Sequence, residues 1–256
     1  MYRVNIMRMT VKADEAERFE EEARKQIKIV TEREAGTVLY GFNRRSGPAS
    51  TILSGAAANH VEYIHLMGYD TEAAQQLHLE IEHAKDQPWT WGATFRPFMA
   101  APIYAERFEA DQITTGITRA HNWEPGSMFR FAFHRFKIKE GMGEEFEMQA
   151  KRQLAMVREN EPGTVLYSFM RRSVDGSPLI PKNSAGHPEY LHFMAYVDEA
   201  AAQLHREIEH DPNREWAWGP TFRQYLEAPL ENEGFLSDQI ITGNTKDYWW
   251  EDGSKP

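Results

Sequence analysis

The chain has 256 residues, a formal charge of −10 at neutral pH and no cysteine. Such an acidic balance argues against nucleic acid or an anionic membrane surface as partner, because phosphate binding needs a basic patch that releases counterions, and the lack of cysteine excludes disulfides, thiolate metal sites and a cysteine nucleophile while fitting a reducing, cytoplasmic setting. No apolar run approaches the roughly 18 residues of a membrane span, and the N-terminus lacks a basic-then-apolar leader pattern.

From the N-terminus, YRVNIMRMTVK reads as a strand, and Ala16, Phe19, Ala23, Ile27 and Val30 then recur at the three- and four-residue spacing of one helical face. Gly36 breaks that helix, TVLYGF supplies a second strand, and EYIHLMGY a third after a polar Gly/Pro/Ser loop. Thr71 stands where a helix N-cap belongs, and the helix behind it is expected to bury Ala74, Leu77 and Ile81. A Trp-rich segment, expected to be extended with a sharp turn, leads to DQITTG as the final strand. Every element returns at one ungapped offset of 127 residues: Glu34 to Arg45 (EAGTVLYGFNRR) falls on Glu161 to Arg172 (EPGTVLYSFMRR), and Leu77 to Arg96 falls on Leu204 to Arg223. Solenoid repeats run to roughly 20–50 residues, so a period this long marks a duplicated domain.

The chain therefore reads as two domains, 1–127 and 128–256, each with the order β-α-β-β-α-β. That is the split βαβ or ferredoxin-like arrangement, an α+β fold with a four-stranded antiparallel sheet and helices on one face. The other sheet face has to be covered, and the twin domain is the expected cover, a pseudo-dimer within one chain that leaves room for further self-association. Arg8 and Arg135, at matching places in the first strand, are expected to form ion pairs between the domains.

The run EPGTVLYSF after the first helix, and Tyr69-Asp70-Thr71-Glu72-Ala73-Ala74 followed by His78, resemble the antibiotic biosynthesis monooxygenase family of dimeric α+β barrels. The resemblance covers both copies and implies a barrel of two ferredoxin-like units, each with a pocket between sheet and helices. It also implies chemistry: relatives include cofactor-independent oxygenases of polyketide anthrones and quinols, and haem-degrading oxygenases. Met67 and Met194 stand where many members carry Glu, and Met7 and His134 where the haem-degrading members place Asn.

His65 and His192 fall mid-strand and share a face with Tyr63, Met67 and Tyr69, and with Tyr190, Met194 and Tyr196. An imidazole flanked by phenols is suited to acid/base work near neutrality, and equally to hydrogen bonding across a domain seam. Ile64 and Leu66 are assigned to the opposite face, expected to pack beneath the helices. His78 and His205 flank the core side of the second helix, with Glu82 and Glu209 four residues on and placed to orient the ring. Trp91 and Trp218 are suited to walling a site for a flat aromatic, with Arg96 or Arg223 pairing a phenolate or carboxylate; they are equally suited to plugging a seam. His78 and His83, five apart, do not share a helix face as i,i+4 metal ligands do, so no metal site is assigned.

The resemblance, together with these His, Tyr and Trp residues, implies a cofactor-independent monooxygenase that takes O2 and a small electron-rich phenol, quinol or anthrone. The proposed catalytic set is His65, His192, His78, His205, Tyr69 and Tyr196. The substrate-binding set is Tyr63, Tyr190, Trp91, Trp218, Arg96, Arg223 and His134. Haem held by an axial His, and a non-catalytic ligand-binding protein, are the alternatives.

Overall fold

A computed structural model describes residues 2–45, 59–84, 90–110, 115–116, 128–172, 187–214, 217–227, 231–238 and 242–243. In chain order these form β1 (Tyr2–Lys12), α1 (Ala16–Arg33), β2 (Thr37–Arg45), β3 (His60–Tyr69), α2 (Glu72–Glu82), a short α3 (Trp91–Phe95), β4 (Tyr104–Ala110) and β5 (Thr115–Gly116). The second copy repeats them as β6 (Met128–Lys137), α4 (Gly143–Asn160), β7 (Thr164–Arg172), β8 (Glu189–Tyr196), α5 (Glu199–Glu209), α6 (Trp218–Phe222), β9 (Glu231–Asp238) and β10 (Thr242–Gly243). No helix among the described residues is long and apolar enough to cross a membrane.

In the first half the strand order is β2-β3-β1-β4 and in the second β7-β8-β6-β9. β3 pairs antiparallel with both β1 and β2, setting His65 opposite Met7 and Phe42; β8 does the same with β6 and β7, setting His192 opposite His134 and Phe169. The fold is thus α+β with antiparallel sheets, as the predicted element order requires. The chain divides into two compact units: Phe108 and Thr115–Gly116 group with the second unit, where they pair with β7, and Phe235–Leu236 and Thr242–Gly243 group with the first, where they pair with β2.

The repeated E-x-G-T turn has a steric cause. A Cβ at Gly36 would lie 2.4 Å from the Ala74 Cβ, and one at Gly163 would lie 2.4 Å from the Ala201 Cβ, so only glycine lets the strand start approach the first turn of α2 or α5. Those helices are capped as expected, Thr71 Oγ1 accepting from the Ala74 amide at 3.1 Å and Asp198 Oδ1 from the Ala201 amide at 2.7 Å. α1 buries Ala16, Phe19, Ala23, Gln26 and Val30; α4 buries Phe146, Ala150, Gln153 and Val157.

Five expectations are corrected. Beneath the helices lies the face carrying Tyr63, Met67 and Tyr69, packed with Phe19, Phe42 and Phe95, and the second half does the same with Tyr190, Met194 and Tyr196; Ile64 and Leu66 are buried outside that cluster. Both strand faces are buried, and the helices take the one whose polar tips they can satisfy. Tyr63, for example, donates to Glu20 on α1 at 2.6 Å. In α2 the buried residues are Ala74, Gln75, His78 and Glu82, while Leu77 is 39% exposed and its twin Leu204 37%; the helix is turned so that its imidazole meets a carboxylate. The Trp-rich segment is helical at Trp91 and Trp218, each packing on the aromatic four residues later at 5.5 and 5.4 Å; Trp89 and Trp216 lie outside the described residues. The strands beside β1 and β6 come from YAERFEA and ENEGFLSD, ahead of the expected DQITTG and DQIITG, of which only Thr115–Gly116 and Asp238, Thr242 and Gly243 fall in described strands. Arg8 reaches Glu106 at 4.0 Å inside the first unit, and Arg135 lies over the Phe108 ring at 5.9 Å inside the second.

Candidate functional site

The mid-strand imidazoles are wholly enclosed. His65 stacks on Phe42 at 4.0 Å and meets Tyr40 edge-on at 4.5 Å; His192 repeats this with Phe169 and Tyr167 at 4.1 and 4.3 Å. Nδ1 of His65 faces the Gly41 carbonyl at 3.0 Å and that of His192 the Ser168 carbonyl at 2.8 Å. A carbonyl only accepts, so Nδ1 carries the proton and Nε2 is the bare lone pair, without a partner in either ring. Burial pushes His65 down to about 3, the carbonyl bond partly opposing and His78 adding, and pushes His192 well below its usual value. Both imidazoles are therefore neutral core groups.

The phenols beside them are held protonated. Burial first, and then neighbouring glutamates, raise Tyr63, Tyr69 and Tyr196. The Tyr63 hydroxyl is engaged by Glu20, and the Tyr190 hydroxyl donates to Glu147 on α4.

A second set of polar residues is assembled beside Tyr40 and Tyr167. His78 Nδ1 lies 2.7 Å from Glu34 Oε2, and His205 Nδ1 lies 2.6 Å from Glu161 Oε2. The orienting carboxylate is thus Glu34 at the end of α1, not Glu82 as the helical spacing suggested. Thr37 Oγ1 donates to Glu34 at 2.8 Å and Thr164 Oγ1 to Glu161 at 2.8 Å. Glu82 accepts from Gln26 and from the Tyr40 hydroxyl at 3.2 Å; Glu209 accepts from Gln153 and from the Tyr167 hydroxyl at 3.0 Å. One ligand atom from each of Glu34, His78 and Glu82 lies within 4.8 Å of the others, and the same holds for Glu161, His205 and Glu209. Burial pushes Glu82 and Glu209 up to about 7, against the His78 and His205 charges and their hydrogen bonds. For His205 burial opposes the charge, but the Glu161 hydrogen bond and the Glu209 and Glu161 charges outweigh it and raise it.

An open cleft lies at the end of α5. Glu209, His210, Pro212, Gly219, Pro220, Arg223 and Gln224 line about 600 Å³. Trp218, next in the chain to Gly219, has its ring 6.4 Å from His134, which in turn sits 5.7 Å from His192. His134 is only partly buried, its Nδ1 has no hydrogen-bond partner, and burial followed by the His205 and His210 charges lowers it to about 4. The Trp218 Nε1 is likewise without a partner. In the first half Met7 holds the strand position of His134.

Of the residues singled out from sequence, Arg223 lines the cleft, and Trp218, the chain neighbour of the lining Gly219, has its ring 6.4 Å from His134. His65, His192, Tyr63 and Tyr190 belong to the cores. His78 and His205 belong to the buried clusters, with the rings of Tyr69 and Tyr196 at 5.3 and 5.1 Å. In the first half Trp91 packs on Phe95, and Arg96 is exposed. Sequence reasoning passed over Glu34, Tyr40 and Gln26 with their twins; identity in both copies was the signal that marks them.

No protein-family model and no curated protein matches the chain. Solved structures match its fold. A candidate monooxygenase from Fusobacterium nucleatum aligns with a TM-score of 0.71 at 12% identity over 98% of each chain, and one from Lactobacillus acidophilus with 0.64 at 14% over 93% of this chain and 96% of that one. An anthrone oxidase-like protein aligns with 0.50 at 12% over 95% and 93%. At such identity the likeness is one of fold: the α+β, antiparallel-sheet architecture described above.

Proposed function

We propose that the chain is an O2-dependent monooxygenase of an electron-rich phenol, quinol or anthrone, working in the cleft of its second half without an organic cofactor. The observation that carries the reading is His134, a partly buried imidazole whose Nδ1 has no hydrogen-bond partner, its ring 6.4 Å from that of Trp218, whose chain neighbour Gly219 lines a cleft edged by Arg223 and His210. The fold shared with two candidate monooxygenases and an anthrone oxidase-like protein supports it. The action of the two halves as a dimer within one chain belongs to the same proposal.

His134 accepts the phenolic proton. Its burial penalises an isolated imidazolium, whereas transfer from a bound phenol creates an imidazolium–phenolate pair whose opposite charges offset that penalty. The phenolate passes one electron to O2, and the resulting aryloxyl radical, through a ring carbon that carries its spin and a hydrogen, combines with superoxide to form a C–O bond. The imidazolium returns its proton to the resulting peroxide. O–O cleavage with loss of the carbon-bound hydrogen then gives a new carbonyl and one water, so both oxygen atoms of O2 and all four electrons are placed. Arg223 pairs the anion and the indole holds the ring.

The test is O2 uptake with a panel of anthrones and quinols, comparing the protein with His134→Met, which restores the residue of the first copy. Loss of a general base lowers turnover by about 10²–10⁴-fold. Uptake unchanged in His134→Met overturns the assignment; a Soret shift on adding haem would replace it with the haem reading, and ligand binding without uptake with a non-catalytic one.

A further inference from the structure

The clusters Glu34–His78–Glu82 and Glu161–His205–Glu209 take no step in the reaction above, although Glu209 also lines the cleft, and their construction is unlike an ordinary salt bridge. All six residues are buried, and each trio brings two carboxylates to one imidazole within 4.8 Å. Apart from the imidazoles of His78 and His205, the donors that reach the carboxylates, namely Thr37, Gln26 and Tyr40 with their twins, are neutral. Buried polar atoms ordinarily find partners, yet Glu34 Oε1, Glu82 Oε2 and Glu161 Oε1 have none. An unpaired buried carboxylate oxygen is costly and asks for a cation.

The arrangement has the parts of a metal centre. His78 and Glu82, like His205 and Glu209, are spaced i,i+4 on one helix, the spacing that turns two ligands to the same side. The third ligand arrives from the C-terminal cap of the preceding helix, Glu34 or Glu161. Thr37, Gln26 and Tyr40 hydrogen-bond the carboxylates as outer-shell partners that fix ligand orientation.

We propose that each trio binds one first-row divalent metal ion, zinc by preference among nitrogen and oxygen donors, which clamps the end of α1 to α2 and the end of α4 to α5. Three protein ligands leave a fourth position for water. The ion replaces the proton shared by imidazole and carboxylate, so uptake releases protons. In the first half this site has no part in the oxygenase reading and stands or falls separately from it.

Chelator-treated full-length protein titrated with Co²⁺ and with Zn²⁺ tests the proposal. Two equivalents per chain are expected, with cobalt d–d absorption bands that zinc abolishes. Glu82→Gln should retain one equivalent and Glu82→Gln/Glu209→Gln none. Because glutamine removes a buried charge at nearly equal volume, the apo variants should melt no lower than the apo parent while losing the metal-induced rise in Tm. Absence of Co²⁺ bands in the parent, or two equivalents retained by the double variant, overturns the proposal.

Discussion

The neutral imidazole of His65 makes a quantitative demand on stability. Its pKa is about 3 in the folded chain against an ordinary value of 6.5, so below pH 6.5 the unfolded chain binds a proton that the folded one does not. The sign follows: the contribution is intact above pH 6.5 and is lost as pH falls toward the folded value. Evaluating RT ln(1 + 10^(6.5 − pH)) gives a loss of about 2 kcal/mol near pH 5, rising toward about 5 kcal/mol below pH 3. Near pH 5 the figure depends on the unfolded chain alone, because the folded imidazole is still unprotonated. The pH profile of the parent protein does not reveal this by itself. Glu82 and Glu209, raised to about 7, bind protons first in the folded state and add stability over the same range. The informative quantity is the difference between parent and His65→Gln, whose amide can still donate to the Gly41 carbonyl. Urea unfolding of chelator-treated protein, followed by tryptophan fluorescence, should show the variant less stable at pH 7.5 and its deficit smaller by about 2 kcal/mol near pH 5. An equal deficit at both pH values would mean that His65 is protonated in the fold, and the neutral-tautomer argument would be wrong.

Gly36→Ala places a methyl 2.4 Å from the Ala74 Cβ, an overpacking expected to cost about 1–3 kcal/mol in thermal or urea unfolding; adding Ala74→Gly should recover part of it, and strict additivity in that double-mutant cycle would refute the steric account. Loss of the caps in Thr71→Ala or Asp198→Ala should each cost about 0.5–2 kcal/mol, read as a lower urea midpoint with unchanged slope. His134→Met removes an atom with no partner, so calorimetry should find Tm unchanged or raised while O2 uptake falls, the exchange of stability for activity expected of a working residue.

Much of the fold was open to reading from the sequence because duplication wrote each pattern twice. The Phe19/Ala23/Val30 stripe, the Gly36 break and the Thr71 cap depend on local spacing, and each lies where local spacing puts it. The errors share one cause. Which side of β3 meets the helices, and which side of α2 turns inward, are decided by long-range partners: Glu20 for Tyr63, and Glu34 for His78. Apolarity alone chose Ile64 and Leu77, whereas pairing of buried polar groups chose Tyr63 and His78. The last strand was misplaced for a related reason, since YAERFEA carries charges such as Glu106 that look solvated until Arg8 is brought beside it.

The comparison between copies reaches further than either copy does. Gln26, Glu34, Thr37, Tyr40, His78 and Glu82 are matched without change by Gln153, Glu161, Thr164, Tyr167, His205 and Glu209, whereas exposed neighbours drift, Leu79 becoming Arg206. Six polar residues held identical in two buried clusters are poorly explained as filling, since apolar residues of similar volume would satisfy packing at lower desolvation cost. A shared ion explains the identity in both halves at once. Met7 and His134 break the pattern in the opposite sense: one partly buried strand position carries a thioether in one half and an imidazole with an unpartnered nitrogen in the other, a difference that the proposed proton-accepting role of His134 would account for.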